Sequence, residues 1–213
     1  MFTPPLFAED RIEVMQDLIA AHPFATLVAA VDGALSADHV PLVLDLVDGA
    51  ADGAAVSLTG HLAAANPLAR HDGPLEVLAV FQGPQAYVTP SWYPSKQEHG
   101  KVVPTWNYAV VHAHGQMVFH RDPAWLRTHL DRLTDHTERP RTAPWAVADA
   151  PEPFVARQIK GIVGIEIRIT ALTGKWKVSQ NKPPADRAGV AEGLRQEPGA
   201  QAAAMADLVR REG

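Results

Sequence analysis

Two neighbouring stretches concentrate side chains able to grip a planar, polar ligand. Tyr87-Val-Thr-Pro-Ser-Trp-Tyr-Pro94 is followed closely by Val103-Pro-Thr-Trp-Asn-Tyr108. Trp92, Trp106 and Tyr108 lie there among the hydroxyls of Thr89, Ser91 and Thr105 and the amide of Asn107. Aromatic faces beside hydrogen-bond donors suit a heterocycle. The same residues also suit a core, with Trp106 and Tyr108 filling one strand face while the hydroxyls cap turns. A later run, Lys175-Trp-Lys-Val-Ser-Gln-Asn-Lys-Pro183, offers three lysines (Lys175, Lys177, Lys182), Ser179, Gln180 and Asn181 to anchor a phosphate and fix polar ring edges. Its plainer reading is a solvated strand end entering a Pro-Pro loop. A third run, Thr59-Gly-His-Leu-Ala-Ala-Ala-Asn-Pro67, reads as a strand end opening into a short helix. Free N–H groups at a helix start attract anions, and His61 and Asn66 add donors. A capped turn accounts for this run equally well.

Histidine is frequent, with ten in the chain. His112 and His114 stand two apart on a predicted strand and share a face. A zinc site needs a third ligand and commonly a carboxylate behind it, and no H-E-x-x-H occurs, so no metal is assigned. His39, in Asp38-His-Val-Pro41, is either a polar contact at a strand start or a surface residue. Nothing has the spacing of an acyl-transfer triad, and no acid or base stands out, so no catalytic residue is assigned. G-x-G-x-x-G and P-loop patterns are missing, which disfavours a Rossmann reading.

The elements that must position these groups belong to an ordinary globular chain. Of 213 residues, 46% are hydrophobic and 20% charged, which excludes a disordered polymer. No apolar run approaches the roughly 20 residues that a membrane-spanning helix needs. No basic region followed by an apolar stretch opens the chain, so no secretory signal is expected, and the lack of cysteine fits a cytoplasmic location. With no cysteine, disulfides and thiolate chemistry are excluded. Nineteen Lys and Arg against 24 Asp and Glu give a net charge of −5, against a dedicated nucleic-acid binder.

Ile12, Met15, Leu18 and Ile19 recur at helical spacing, predicting a helix over 10–22 capped by Asp10 and ended by Pro23. Strands are expected at 24–31, 39–47 and 54–60, joined by turns at Asp32-Gly33 and 48–52. A short helix is expected over 61–71. Further strands are expected at 75–81 and 85–88, broken at Gly83-Pro84. The polar, aromatic segment 89–104 reads as an ordered functional loop. A long strand follows over 105–119, then a helix from Asp122-Pro123 to Glu138 with Trp125, Leu126, His129, Leu130 and Leu133 inward. A short helix over 153–160 ends at Gly161. From Ile162 to Leu172 apolar and polar residues alternate, so one face covers a core. Lys175–Val178 extends this strand after a Thr173-Gly174 turn, and the tail from Ala185 is helix-prone. Short strands with glycine turns and no βαβ rhythm predict a mainly β chain with peripheral helices (α+β), an antiparallel barrel.

Taken together, the runs 86–93, 103–108 leading to Val111-His-Ala-His-Gly115, and 160–164 through 177–183 resemble the PaiB-like, FMN-binding negative transcriptional regulator family. Met1-Phe-Thr-Pro-Pro-Leu-Phe7 and Thr59-Gly-His-Leu62 to Asn66-Pro67 fit the same pattern, and the resemblance reaches about residue 195. It implies an FMN-binding split β-barrel over 1–183 with a helical extension over 184–213, a homodimer, and FMN in clefts between subunits. It places Thr59, His61 and Asn66 near the phosphate or ribityl chain, with His39 a further polar contact. Ser91, Trp92, Thr105, Trp106 and Asn107 would line the ring or the dimer cleft, and Lys177, Gln180 and Asn181 would close the site. His and Lys stand where related oxidases often carry phosphate-binding arginine. The family also implies transcriptional repression and hence a DNA partner, although no helix-turn-helix with a basic recognition helix is evident. Two other functions stay open on this fold: an FMN-dependent NAD(P)H oxidoreductase, and a haem-binding protein using His39, His61, His112 or His114.

Overall fold

The computed structural model describes residues 1–46, 55–71 and 73–211. In chain order the elements are β1 (Ala8–Glu9), α1 (Ile12–Ala21), β2 (Phe24–Val31), β3 (Ala34–Pro41), β4 (Val43–Leu46), β5 (Ala55–Ala63) and β6 (Leu75–Val88). There follow α2 (Ser95–His99), β7 (Thr105–His120), α3 (Pro123–Glu138), α4 (Glu152–Ile159), β8 (Ile162–Lys177), α5 (Pro184–Gln196) and α6 (Ala200–Arg211). Strand pairing follows the order β3-β2-β6-β7-β8-β5-β4, with β1 added on β8. The β1–β8, β2–β3, β2–β6, β4–β5 and β5–β8 pairs are all antiparallel. The expected class, antiparallel β with peripheral helices, is the class observed.

The chain divides into two compact units, one of residues 1–15, 82–111 and 173–213, the other of 16–81 and 112–172. In the first, α5 and α6 pack on each other. They bury Val190, Ala191, Leu194, Met205, Ala206 and Val209. Gly199, at φ +103°, breaks the helix-prone tail into these two pieces. In the second unit, Leu126 of α3 joins Val147, Val155 and Ile159 in a buried cluster, with Trp125, Leu130 and Ile162 packed against it. The alternation on β8 is as read: Val163, Ile165 and Ile167 are buried on one face. Gly164, on the opposite face, leaves the space that the Trp125 ring occupies.

The β2–β3 hairpin turns on Asp32 (φ 52°) and Gly33 (φ 79°), the left-handed pair that a tight two-residue hairpin needs. α3 starts where Asp122 predicts, its carboxylate accepting from the Trp125 N–H at 3.0 Å. Other boundaries differ. The second strand begins at Ala34 rather than His39, because pairing with β2 runs up to the turn although most of its early side chains are exposed. The turn expected over 48–52 lies outside the described residues. No helix forms at His61: β5 continues to Ala63, held by His61–Gly164 and Ala63–Ile162 pairing. Only a four-residue 3₁₀ turn, Pro67–Arg70, follows. β6 runs unbroken through Gly83-Pro84. β8 likewise runs through Thr173-Gly174. Gly174 makes no turn; it faces Glu9 of β1 so closely that a Cβ would lie 2.7 Å from the Glu9 carbonyl oxygen.

Candidate functional site

The residues singled out in the sequence fall into two groups. Ser91, Trp92, Thr105, Trp106, Asn107, Lys177, Gln180 and Asn181 belong to the first unit; His39, Thr59, His61 and Asn66 belong to the second.

In the first unit, the loop before β7 is held rather than slack. The Thr89 hydroxyl accepts from the Ser91 N–H at 3.3 Å and starts the 3₁₀ turn Pro90–Trp92. The Trp92 ring rests on Gly193 of α5, where a Cβ would overlap it, and the Trp92 carbonyl sits against Gly189. The Asp186 carboxylate, buried at the start of α5, accepts from the Ser95 N–H at 3.1 Å and from its hydroxyl at 2.7 Å. Lys182 lies over the face of the buried Tyr93 ring, 4.9 Å from its centre.

Beside this loop, β7 and the end of β8 supply polar groups. Trp106 is half-exposed and donates its indole N–H to the Gln85 Oε1 at 3.0 Å, and the Tyr87 ring lies 6.1 Å away. The Asn107 amide is buried and donates to the Ser179 Oγ at 2.9 Å, but its Oδ1 accepts nothing. Ser179 itself adopts φ 68°, an uncommon conformation for a residue with a side chain. The Lys177 ammonium donates to the Thr105 hydroxyl and, at 2.7 Å, to the Trp106 carbonyl. Burial lowers its pKa, with repulsion from Lys175 and Lys182 adding to the effect. Among the described residues no carboxylate pairs with it. A cation held by neutral oxygens and pressed by two like charges can bind an anion. Gln180 is occupied locally: its Oε1 accepts from the Val178 N–H and its amide donates to the Trp176 carbonyl. Asn181 is exposed.

In the second unit, Asn66 caps the turn at Pro67, accepting from the Leu68 N–H and donating to Asp38, both at 2.8 Å. His39 is exposed, its ring 6.1 Å from that of Phe24. Ser57, Thr59 and His61 lie on the face of β5 opposite to Leu58 and Leu62. Thr59 pairs across to Glu166 and His61 to Gly164. His61 Nδ1 and His129 Nε2 of α3 are 3.0 Å apart, so one ring donates to the other. His129 is 2% exposed. Burial, then the neighbouring His61 and Arg132, lower its pKa to about 4. Burial also lowers that of His61.

Sequence reasoning placed His129 on the inward stripe of α3 without giving it chemistry. The available signal was a polar ring at a core position, four residues after Trp125. Asp186 was missed, because its partner Ser95 is distant in the chain, and Ser179 was read as a ligand contact without its bond to Asn107. Among the described residues, no group of three or more His, Asp or Glu is placed to hold a metal ion. No described helix is long and apolar enough to cross a membrane.

Comparison with known proteins extends the resemblance read from the motifs. The chain is 36% identical to an uncharacterised protein of Aspergillus fumigatus, over 91% of this chain and 90% of that one. It is 31% identical to the protease synthase and sporulation protein PAI 2 of Bacillus subtilis, over 98% of this chain and 96% of the relative. Its fold matches that of the FAD and haem binding protein from Mycobacterium smegmatis with a TM-score of 0.57 at 18% identity, covering 79% of this chain and 72% of the other. A conserved hypothetical protein from Mycobacterium tuberculosis shares the fold as well, with a TM-score of 0.55 at 14% identity over 86% of this chain and 94% of the other. The model of one family matches residues 1–171, and the chain belongs to that family, described as "Putative FMN-binding domain".

Proposed function

We propose that this protein binds FMN as a homodimer and acts as a flavin-dependent negative regulator of transcription. Family membership supports the cofactor. The observation that carries the reading within this chain is the Lys177 ammonium, which lacks a carboxylate partner among the described residues and stands beside Thr105, Trp106 and Asn107. An anionic cofactor would supply the missing charge, and the unpartnered Asn107 Oδ1 accepts a hydrogen bond from a ligand N–H or O–H. Trp106 and Tyr87 offer aromatic surface of the kind a flavin ring packs on. FMN would supply redox-active ring chemistry when bound; the protein's part is orientation and charge.

Of the second-unit residues in the sequence reading, two are already hydrogen-bonded within the chain. Asn66 is committed to its turn and to Asp38, and His61 to His129. Repression draws its support from the PaiB-like motif series rather than from a basic DNA-binding helix.

The test is titration of FMN into dialysed protein, followed by flavin absorbance and fluorescence. Lys177→Ala should weaken FMN by about 1–3 kcal/mol, the worth of a hydrogen bond to a charged group. That is roughly a 5- to 150-fold rise in Kd. Unchanged affinity removes Lys177 from the site, and a wild-type protein that takes up no FMN removes the function. A monomeric mass at micromolar concentration contradicts the homodimer. Gel shifts on promoter DNA, repeated with oxidised and reduced flavin, decide the regulatory part.

A further inference from the structure

Between α3 and the outward faces of β4, β5 and β8 lies a cavity of about 370 Å³. That is within the range of small-molecule pockets, roughly 300–1,000 Å³. Two residues that line it each carry a buried polar atom without a partner: Thr59 Oγ1 and His129 Nδ1. Their residues are 5% and 2% exposed. Buried polar groups are nearly always hydrogen-bonded, so two orphans in one cavity point to a missing partner.

The charges around the cavity indicate what kind of partner. Its lining carries two carboxylates, Asp45 and Glu166, against one guanidinium, Arg132; Arg132 pairs with Asp45 at 2.7 Å, and Glu166 Oε2 lies 2.9 Å from His120 Nε2, which leaves its Oε1 for a ligand. His129 adds no positive charge near neutral pH, because burial holds it neutral. An anion is therefore disfavoured. A stacked planar ligand is disfavoured as well: the Trp125 indole already has two stacking neighbours, His120 at 4.1 Å and His129 at 5.6 Å. The histidine pair can meet a donor. When His129 Nε2–H donates to His61 Nδ1, the unpartnered His129 Nδ1 carries a lone pair.

We propose that this cavity is a second ligand pocket, separate from any flavin, that takes a small organic cation of the alkylammonium class. The ammonium N–H groups donate to Thr59 Oγ1, His129 Nδ1 and the Glu166 carboxylate, and the alkyl chain lies along the edge of Trp125. Nothing in this proposal depends on FMN binding.

An isosteric series tests it by calorimetry at pH 8, where an ordinary imidazole is also uncharged. The probes are n-butylammonium, n-butanol and n-butyrate, each taken to about 10 mM so that a millimolar complex is populated. Butylammonium should bind at least tenfold more tightly than the other two and should shift the His129 ring signals in NMR. Glu166→Gln should weaken it about tenfold, and saturating butylammonium should leave FMN affinity unchanged. Equal or tighter binding of butanol or butyrate overturns the proposal, as does no binding by any probe. Unshifted His129 signals, unchanged binding to Glu166→Gln, or competition with FMN also overturns it. The comparison among the three probes uses the wild-type protein, so it stands even if the variant fails to fold.

Discussion

Acid should weaken this protein through one imidazole more than any other feature described above. His129 is buried, and its pKa is about 4 in the folded chain against an ordinary value of 6.5. The folded value lies below the unfolded one, so protonation favours the unfolded chain. The neutral ring's contribution is complete above pH 6.5 and is lost as pH falls towards 4. From pH 8 to pH 5 the loss is about 2 kcal/mol, from linkage between those two values. It approaches about 3 kcal/mol below pH 4, since each pKa unit is worth about 1.4 kcal/mol. Burial lowers the pKa of His61 too and adds loss in the same direction. The assay is urea unfolding followed by tryptophan fluorescence, at fixed protein concentration, for wild type and His129→Gln. Wild type should lose about 2 kcal/mol more than the variant between pH 8 and pH 5. Parallel losses in the two proteins would refute the reasoning, for they would mean that His129 is solvated or already paired as a cation.

Two further outcomes concern packing and capping. Gly193→Ala should destabilise by about 1–3 kcal/mol in chemical unfolding, because its Cβ would overlap the Trp92 ring. Alanine otherwise favours a helix by about 1 kcal/mol over glycine, so a gain in stability would show that Trp92 lies elsewhere. Asp122→Ala removes the acceptor at the start of α3 and should cost about 1 kcal/mol in the same measurement, whereas Asp122→Asn should cost much less.

Local signals made much of this fold legible. Phe24–Val31, the Asp32-Gly33 hairpin, the capped α3 and the alternation along β8 are each written in residues close together in the chain. The misread points are those where distant pairing overrules a local cue. Gly174 and Gly83-Pro84 look like breaks, yet the strands continue through them, and at Gly174 the reason is the close approach of β1. His61 precedes an alanine run and a capped proline, yet pairing to Gly164 keeps it in a strand. Of the candidate site, the aromatic loop and Lys177 were visible as residue types. Their supports, Asp186 for Ser95 and Ser179 for Asn107, lie more than seventy positions away and leave no pattern in sequence.

The docking of Trp92 on α5 bears on how this protein can be cut. The family model stops at residue 171, but Gly189 and Gly193, on which Trp92 rests, lie beyond it. A chain shortened to the family boundary would strip an indole of its seat and release Ser95 from Asp186 in one stroke. The last two helices behave as a keystone for a loop encoded a hundred residues earlier, not as an appendage that can be trimmed.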